Sequence, residues 1–394
     1  MDDNRVTTVL HWNYRGFTEF PLQTLEGEES DITDIYLKEN LISSIPNDIY
    51  KLRNLESLYF SGNDITELPR EISMLRCLKC LDVSGNRLRY IPEELADARN
   101  LKFLILDENE LCRLPLRLGE LRTLRYLSVC DNRLQWLPQR PVFNYHHCEL
   151  RFWRNVDLKT VPYSLWYHMF REQQTRSLNI GCLKIFKGNY KIQAGKFCLK
   201  ILSDSSKHDA IINVPGNYLN ILHRQTPRPA SLFELSKRKF YEIICEKIKH
   251  FNDVQISIYS DIYHHFDGKM RDRKGSLADN YLYYASNKCI ENNNNIPAAS
   301  RQRKPYIVPA DIINELYDFL PSFIKNDLCN GPASTCENIS CRKPIFDYVY
   351  LEFCMQKIIL IEKSEDIVLS AAFCSKACAD SWKAEKDVVE WEVL

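Results

Sequence analysis

Apolar and polar positions along the first 165 or so residues repeat with a period of 23. Six asparagines mark the register, and apolar residues stand five and three positions before each, as Leu81 and Val83 do before Asn86. This alternation predicts a short β-strand with one side in a core. In five of the six units a proline follows six residues later, which fixes φ where the chain turns back. The asparagines are Asn40, Asn63, Asn86, Asn109, Asn132 and Asn155.

A period of this length is typical of leucine-rich repeats. One such unit cannot bury its own apolar face, so neighbouring units stack into a curved solenoid whose strands line a concave surface. The asparagine amides, which both donate and accept, are expected to form a ladder that satisfies buried backbone groups. The predicted fold class is therefore α/β, a leucine-rich-repeat solenoid of 23-residue repeats followed by a small mixed C-terminal region.

Loss of the period after Trp166 divides the chain. Short alternating stretches after this point predict strands, and two amphipathic segments bounded by proline predict helices. A run of asparagines and a basic run predict a largely disordered insertion at about 251–304. The predicted domains are a capping repeat over 1–28, the solenoid over 29–170, a β-rich connecting segment over 171–230, a helical region over 231–325 that contains the insertion, and a cysteine-containing tail over 326–394.

The residues that alternate with the buried ones should project from the concave strands. Aromatic residues and arginine exposed together are typical of protein-binding hot spots. The alternative is that later segments of the chain cover some of these aromatics. The predicted partner-binding residues are Tyr36, Tyr59, Asp82, Phe103, Ile105, Tyr126, Arg151 and Trp153.

Two cysteine pairs near the C-terminus predict a metal site. Four thiolates in two close pairs suit tetrahedral Zn²⁺, and a hairpin between the pairs can bring them together. We expect a structural Zn²⁺, because four thiolates leave no open position for water. The alternative is that these cysteines are buried small hydrophobes, with Cys329 and Cys354 as substitute ligands if one of the four is wrong. The four predicted ligands are Cys336, Cys341, Cys374 and Cys378.

Charge and composition narrow the partner class. Lys+Arg and Asp+Glu are 52 each, so we expect neither nucleic acid nor an acidic membrane as a partner. The polar start and the lack of a long apolar run predict a protein of the cytosol or nucleus. Neither a hydrolase triad nor a phosphate-binding loop is found in the sequence, which predicts a non-enzymatic protein.

Several segments carry a resemblance to known proteins. They are Asn13-Tyr14-Arg15 before Phe20-Pro21-Leu22, residues 157–162, residues 180–182 and residues 346–350. In these segments the chain resembles the animal leucine-rich-repeat-containing proteins 28 and 58, the former more closely. The resemblance runs over most of the chain, and the insertion at 251–304 departs from both.

Residues 231–240 resemble an elongin-binding box, the first helix of the suppressor-of-cytokine-signalling box, and residues 308–316 resemble its cullin-facing segment. The resemblance implies that Leu232 enters an apolar pocket on elongin C, as a helix enters a groove. Ser236 stands where many such boxes have cysteine. The alternative is that both helices merely cap the open end of the solenoid. The implied elongin-binding residues are Leu232, Leu235, Ser236 and Phe240, and the implied cullin-facing residues are Pro309, Ile312 and Leu316.

These features predict a substrate receptor of a cullin–RING ubiquitin ligase. Its concave face would hold a target protein while its helices bind elongin B/C and a cullin. The alternative is an intracellular signalling scaffold that binds a small GTPase or a phosphatase through Tyr59, Phe103, Tyr126 and Trp153, with a tail that serves only as a cap.

Overall fold

The computed structural model describes residues 8–25, 27, 29–121, 123–139, 148–166, 197–202, 210–214, 220–221, 230–263, 308, 310–359, 364–384, 386 and 388–393. The chain divides into two compact units. The first comprises Met1–Glu234 and Asn330–Leu394, and the second comprises Leu235–Cys329.

Seven parallel strands, in sequence order, form the sheet of the solenoid. Equivalent residues of neighbouring repeats pair with each other, as Leu58 does with Leu81 and Leu81 with Leu104, and all three are fully buried. The repeat period therefore sets the register of the sheet, and the predicted α/β solenoid is confirmed. The strands are β1 (Thr8–His11), β2 (Ile32–Tyr36), β3 (Ser57–Tyr59), β4 (Cys80–Asp82), β5 (Phe103–Ile105), β6 (Tyr126–Ser128) and β7 (Glu149–Arg151).

Short 3₁₀ helices form the return side of the repeats. The repeat prolines stand directly before four of them, with φ between −60° and −68°. Each of these four helices buries an apolar residue in the core: Ile49, Ile72, Leu95 and Leu118. The 3₁₀ helices are Leu22–Leu25, Asn47–Lys51, Arg70–Met74, Glu93–Asp97 and Leu116–Glu120.

The six repeat asparagines are buried and form a ladder of amide hydrogen bonds. In Asn86, Oδ1 accepts from the backbone N–H of Ile65 at 2.9 Å. Its Nδ2 donates to the carbonyls of Phe60 and Val83, both at 3.0 Å. Two of these partners belong to the preceding repeat, so each amide joins two coils of the solenoid.

A second sheet lies within the same unit. Its strand order is β10-β9-β16-β14-β15-β8, with β11 paired to β14, and β12 and β13 form a separate hairpin. The predicted connecting segment and the predicted tail thus contribute to one sheet. The strands are β8 (Val161–Pro162), β9 (Phe197–Leu202), β10 (Ala210–Val214), β11 (Asn220–Ile221), β12 (Ser334–Thr335), β13 (Pro344–Ile345), β14 (Tyr348–Ile359), β15 (Ser364–Phe373) and β16 (Val388–Val393). Residues 171–196 lie outside the described residues.

The last coil of the solenoid joins this second sheet directly. Strand β8 pairs in parallel with β15, and two side chains strengthen the junction. Gln139 Nε2 donates to Ser370 Oγ at 2.7 Å, and Thr160 Oγ1 donates to the carbonyl of Val368 at 3.1 Å. One continuous apolar core runs through both sheets, so strands of the C-terminal tail cover the end of the solenoid.

The α-helices are α1 (Leu232–Tyr263), α2 (Ala310–Leu316), α3 (Ser322–Asn330) and α4 (Lys376–Lys383). Ser231 caps α1, because its Oγ accepts from the N–H of Glu234 at 3.1 Å. Helix α1 runs to Tyr263, so residues 251–263, at the start of the predicted insertion, are helical. The asparagine and basic runs that suggested disorder stand later, within 264–304, which lies outside the described residues.

Two contacts organise the second unit. The hydroxyl of Tyr241 in α1 accepts from the N–H of Val308 at 3.0 Å, and Lys237 Nζ pairs with Asp327 at 2.7 Å. These bonds tie α1 to the segments around α2 and α3. No helix in the described part of the chain has the length and apolar character needed to cross a membrane.

We predict that Asn86→Ala lowers the free energy of unfolding by about 2–4 kcal/mol, because it leaves buried backbone groups of two coils without partners. The control is Asn100→Ala, since Asn100 is exposed and donates a single bond to the carbonyl of Arg76. This control should cost less than about 1 kcal/mol. Urea denaturation of the full chain, followed by circular dichroism, measures both, and equal losses would contradict the role of the ladder.

Candidate partner-binding face and metal centre

Two rows of side chains project from the concave side of the solenoid sheet. The strand register aligns them across neighbouring repeats, and the residues between them are buried. One row contains Tyr36, Tyr59, Asp82, Ile105, Ser128 and Arg151. The other contains Asp34, Ser57, Cys80, Phe103, Tyr126 and Glu149.

The N-terminal half of this face is an aromatic stack. The rings of His11 and Tyr36 lie 5.0 Å apart and those of Tyr36 and Tyr59 lie 4.6 Å apart, nearly parallel in both cases. The ammonium of Lys38 lies 5.2 Å from the centre of the Tyr59 ring. Sequence reasoning missed His11 because it pairs with Tyr36 at an interval of 25 residues rather than 23.

Acidic residues near the middle of the face accept hydrogen bonds from nearby backbone N–H and hydroxyl groups. Asp82 is buried, and its Oδ1 accepts from the N–H and the hydroxyl of Ser84 at 3.1 and 2.7 Å. Asp107 accepts from Ser128 Oγ at 2.6 Å and from the N–H of Cys130 at 2.7 Å, and burial raises the pKa of its carboxyl. Asp82 therefore contributes more to the shape of the face than to its accessible surface.

The C-terminal half of the face is apolar with charge beside it. Phe103 is 44% exposed, and Ile105 and Tyr126 are half-buried. The guanidinium of Arg151 lies 5.3 Å from the centre of the Tyr126 ring and pairs with Glu149 at 2.8 Å. Trp153 follows β7 and packs partly against the core, with its ring 4.5 Å from that of Phe152.

Four cysteine sulfurs converge in the tail. The Sγ atoms of Cys336, Cys341, Cys374 and Cys378 all lie within 4.8 Å of one another, so they can hold a metal ion. The Sγ of Cys374 is 3.4 Å from that of Cys341 and 3.8 Å from that of Cys378. The sulfurs of a tetrahedral site are separated by distances of this order. Cys336 is buried and the other three are half-buried.

Two tight turns present these sulfurs. Cys336 and Cys341 lie between β12 and β13, where the N–H of Cys336 donates to the carbonyl of Lys343 at 2.8 Å. Cys374 follows β15, and Ser375 begins α4 by accepting from the N–H of Cys378 at 3.3 Å. Each predicted pair therefore comes from one turn, and β14 and β15 bring the two turns together.

The two substitute ligands considered from the sequence do not join this cluster. Cys354 is buried in β14, and the Sγ of Cys329 contacts the carbonyl of Ala310 at 3.8 Å and Asn314 Oδ1 at 3.5 Å. The predicted set of four thus agrees with the cluster that the structure forms.

The electrostatics of the cluster favour a thiolate at Cys374. Hydrogen bonds from Cys336 and its neighbours lower the pKa of Cys374 to about 5. Burial raises the pKa of Cys341 to about 11, and a hydrogen bond to Cys374 together with burial raises the pKa of Cys336. A metal ion stabilises thiolates far more strongly than a thiol donor does, so the cluster is suited to a soft cation. Four sulfur ligands leave no place for a reacting water.

The predicted elongin-binding residues lie on the exposed side of α1. Leu232 is 80% exposed, Leu235 and Ser236 are exposed, and Phe240 is half-buried with its ring 5.4 Å from that of Tyr317. The opposite side of the same helix is buried through Glu234, Lys237, Arg238, Tyr241 and Ile244.

The predicted cullin-facing residues are not equally accessible. Leu316 is 63% exposed, Ile312 is buried, and Pro309 lies outside the described residues. Phe319 and Phe323 are also strongly exposed, and sequence reasoning missed them. Their signal in the sequence was the pair of apolar residues on either side of Pro321. Helix α2 ends before both of them, at Leu316.

One family profile agrees with the repeat assignment, since the Leucine Rich Repeat profile matches residues 54–75. Several solved structures are also similar to parts of the chain. A leucine-rich-repeat protein of Leptospira interrogans shares 29% identity over 34% of this chain and 34% of its own, with a TM-score of 0.30. An internalin of Listeria monocytogenes shares 23% identity over 26% of this chain and 29% of its own, with a TM-score of 0.24.

A third solved structure is the ectodomain of the plant membrane receptor kinase GASSHO1/SCHENGEN3 from Arabidopsis thaliana, in complex with CASPARIAN STRIP INTEGRITY FACTOR 2. It shares 29% identity over 30% of this chain and 17% of its own, with a TM-score of 0.26. The chain spans about a third or less of each of these three proteins. A search of curated proteins gives no match. The profile match lies within the seven-strand parallel sheet, so the solenoid is built of leucine-rich repeats, and solenoids of this kind present concave binding surfaces.

We predict that Cys341→Ser strongly reduces the metal content of the purified full chain, because it removes one of four converging ligands. The matched control is Cys77→Ser, a half-buried cysteine within a solenoid repeat, which should keep the wild-type metal content. Elemental analysis of both variants beside the wild type measures the difference. Unchanged metal in Cys341→Ser would show that the cluster is not the site.

Proposed function

We propose that this protein is a non-enzymatic substrate receptor of a cullin–RING ubiquitin ligase, which binds elongin B/C through α1 and a target protein through the concave face. The exposed apolar side of α1 carries the proposal. A helix that buries one side and leaves Leu232 and Leu235 in solvent on the other has an unsatisfied apolar surface, which is typical of a helix that docks in a groove.

The spacing on α1 supports this role. Leu232, Leu235 or Ser236, Lys239 and Ile243 recur at three- to four-residue intervals and are all exposed, so they share one face of the helix. The carboxylate of Glu234, on the buried face, accepts from the N–H groups of Phe346 and Asp347 at 3.0 and 3.1 Å. This fixes the first turn of α1, so that Leu232 is presented on an ordered element.

The cullin contact in this proposal falls on the exposed Leu316, together with Pro309. Ile312 is buried, so we assign it a packing role within α2 rather than direct contact. We further propose a relationship with leucine-rich-repeat-containing proteins 28 and 58 on the segments quoted above, and a location in the cytosol or nucleus.

The metal in this proposal is Zn²⁺, held by the four cysteines in a structural role. A Cys₄ site would close the turns that carry β12, β13 and α4. Trp382 of α4 packs against Tyr163 of the last coil, with ring centres 5.1 Å apart, and against Phe373 at 5.3 Å. Zn²⁺ would therefore stabilise the cover of the solenoid and not a reaction.

We predict that Leu232→Arg abolishes co-purification of elongin B/C with the full chain, because a cation cannot enter an apolar pocket without a large desolvation cost. The control is Leu41→Arg, which places the same change at an exposed leucine of the solenoid and should leave the complex intact. Co-expression with both elongins followed by size-exclusion chromatography measures the result.

Two outcomes would contradict the adaptor role. They are a wild-type chain that never retains elongin and a Leu232→Arg variant that retains it fully. If the wild-type chain is folded but never retains elongin, a capped repeat scaffold that binds signalling proteins becomes the better hypothesis.

We also predict that a strong chelator lowers the melting temperature of the full chain by several degrees, because loss of metal loosens the cover over the last coil. Cys341→Ser should already melt at the lower temperature and respond little to chelator. Added Zn²⁺ should restore the wild type only. A wild-type melting temperature that chelation leaves unchanged would argue against a structural metal.

A further inference from the structure

One edge of the concave face differs from the other in charge. We call it the strand-entry edge, because the chain enters the strands there. Residues at this edge stand one position before the exposed strand positions, and each N–H bonds to the carbonyl of its counterpart in the preceding repeat, as Lys102 does to Lys79 and Arg125 to Lys102. Lys79 Nζ reaches Glu56 at 2.5 Å, so side chains of adjacent members of this row meet. Glu56, Lys79, Lys102 and Arg125 therefore form one row along the strand-entry edge.

Lys102 and Arg125 are left with uncompensated charge. Glu56 neutralises Lys79, but no ion pair joins Lys102 or Arg125 to an acidic residue within the part of the chain that the structure describes. Arg125 is exposed and Lys102 is half-buried. Each directly precedes an outward aromatic residue, Phe103 or Tyr126. Two cations thus border the apolar patch formed by Phe103, Ile105 and Tyr126.

The opposite edge of the same strands has the reverse sign. Asp107 and Glu108 follow β5, and Asp131 follows β6, where it pairs with Arg154. An occupant of the apolar patch therefore meets the two cations on the entry side. On the exit side Asp107 is engaged with Ser128 and Cys130 and Asp131 with Arg154, which leaves the exposed Glu108 as the accessible negative charge. Charge of this kind orients a bound segment and disfavours the reversed one.

We infer that the concave face takes a protein segment in which bulky apolar side chains stand beside acidic residues, with the acidic residues against Lys102 and Arg125. This inference rests on the proposed role of the concave face as the target-binding surface. Phe103 supplies the apolar anchor, since it is the large side chain most exposed in the patch. The cations add direction and specificity more than affinity.

The test uses the full chain and two short fluorescent peptides. One carries a leucine and a phenylalanine beside a run of glutamates, and the other has lysines in place of the glutamates. Fluorescence anisotropy should show tighter binding of the acidic probe, with an affinity that falls as salt is added. Phe103→Ala should weaken binding of the acidic probe roughly thirty-fold, as expected for a hot-spot residue.

The double variant Lys102→Glu/Arg125→Glu should reverse the preference, with the acidic probe weakened roughly tenfold or more. The matched control is Arg53→Glu/Arg76→Glu, two exposed arginines at equivalent positions that follow the 3₁₀ helices of neighbouring repeats, and it should keep the wild-type preference. Circular dichroism checks that each variant is folded.

Equal binding of the two probes, no binding of the acidic probe, or an unchanged preference in the double variant would overturn the inference. Failure here is separable from failure of the ligase proposal, because elongin co-purification depends on Leu232 and does not involve the concave patch. If the chain retains elongin but does not bind the acidic probe, the adaptor role stands and the target has a different chemistry.

Discussion

The constraint on which the structure depends is that backbone groups buried between stacked coils must find hydrogen-bond partners. The asparagine amide meets it across two repeats at once. In Asn109, Nδ2 donates to Val83 of the preceding repeat at 2.9 Å and to Leu106 of its own at 3.1 Å, while Oδ1 accepts from the N–H of Leu88 at 3.0 Å. Because one side chain must reach both coils, successive repeats keep the same length. The constant length then fixes the strand register.

Once the register is fixed, the outward side chains of the strands are free to carry binding chemistry. Leu81, Leu104 and their counterparts fill the core, so most outward side chains have no role in it, although Asp82 and Ser128 are themselves buried. The two halves of the face use this freedom differently. The first is a stack of parallel rings around Tyr36, and the second is an apolar patch around Phe103 with charge on both sides. A single repeat pattern thus presents two chemically distinct surfaces.

Sequence pattern predicted the features that arise from local or periodic signals. The solenoid followed from the 23-residue period, and the cysteine cluster followed from ligand type and spacing. His11 was not predicted, because it pairs with Tyr36 at an interval of 25 residues and so does not follow the 23-residue period. The second sheet could not be predicted as one body, because β8, β9 and β14 are far apart in sequence and non-local strand pairing leaves no local signature. The burial of Ile312 likewise depends on what packs around α2.

The end of the solenoid raises the same problem as its interior, because the last coil has no following repeat to cover it. The chain meets this need with β15, which pairs with β8, and with Ser370, whose Oγ accepts from Nε2 of Gln139. The cover extends to the start of α1, since Glu234 binds the backbone of Phe346 and Asp347. Helical spacing then turns Leu232 and Leu235 to the opposite, exposed side. The contacts that end the repeat array therefore also hold the first turn of α1 in place.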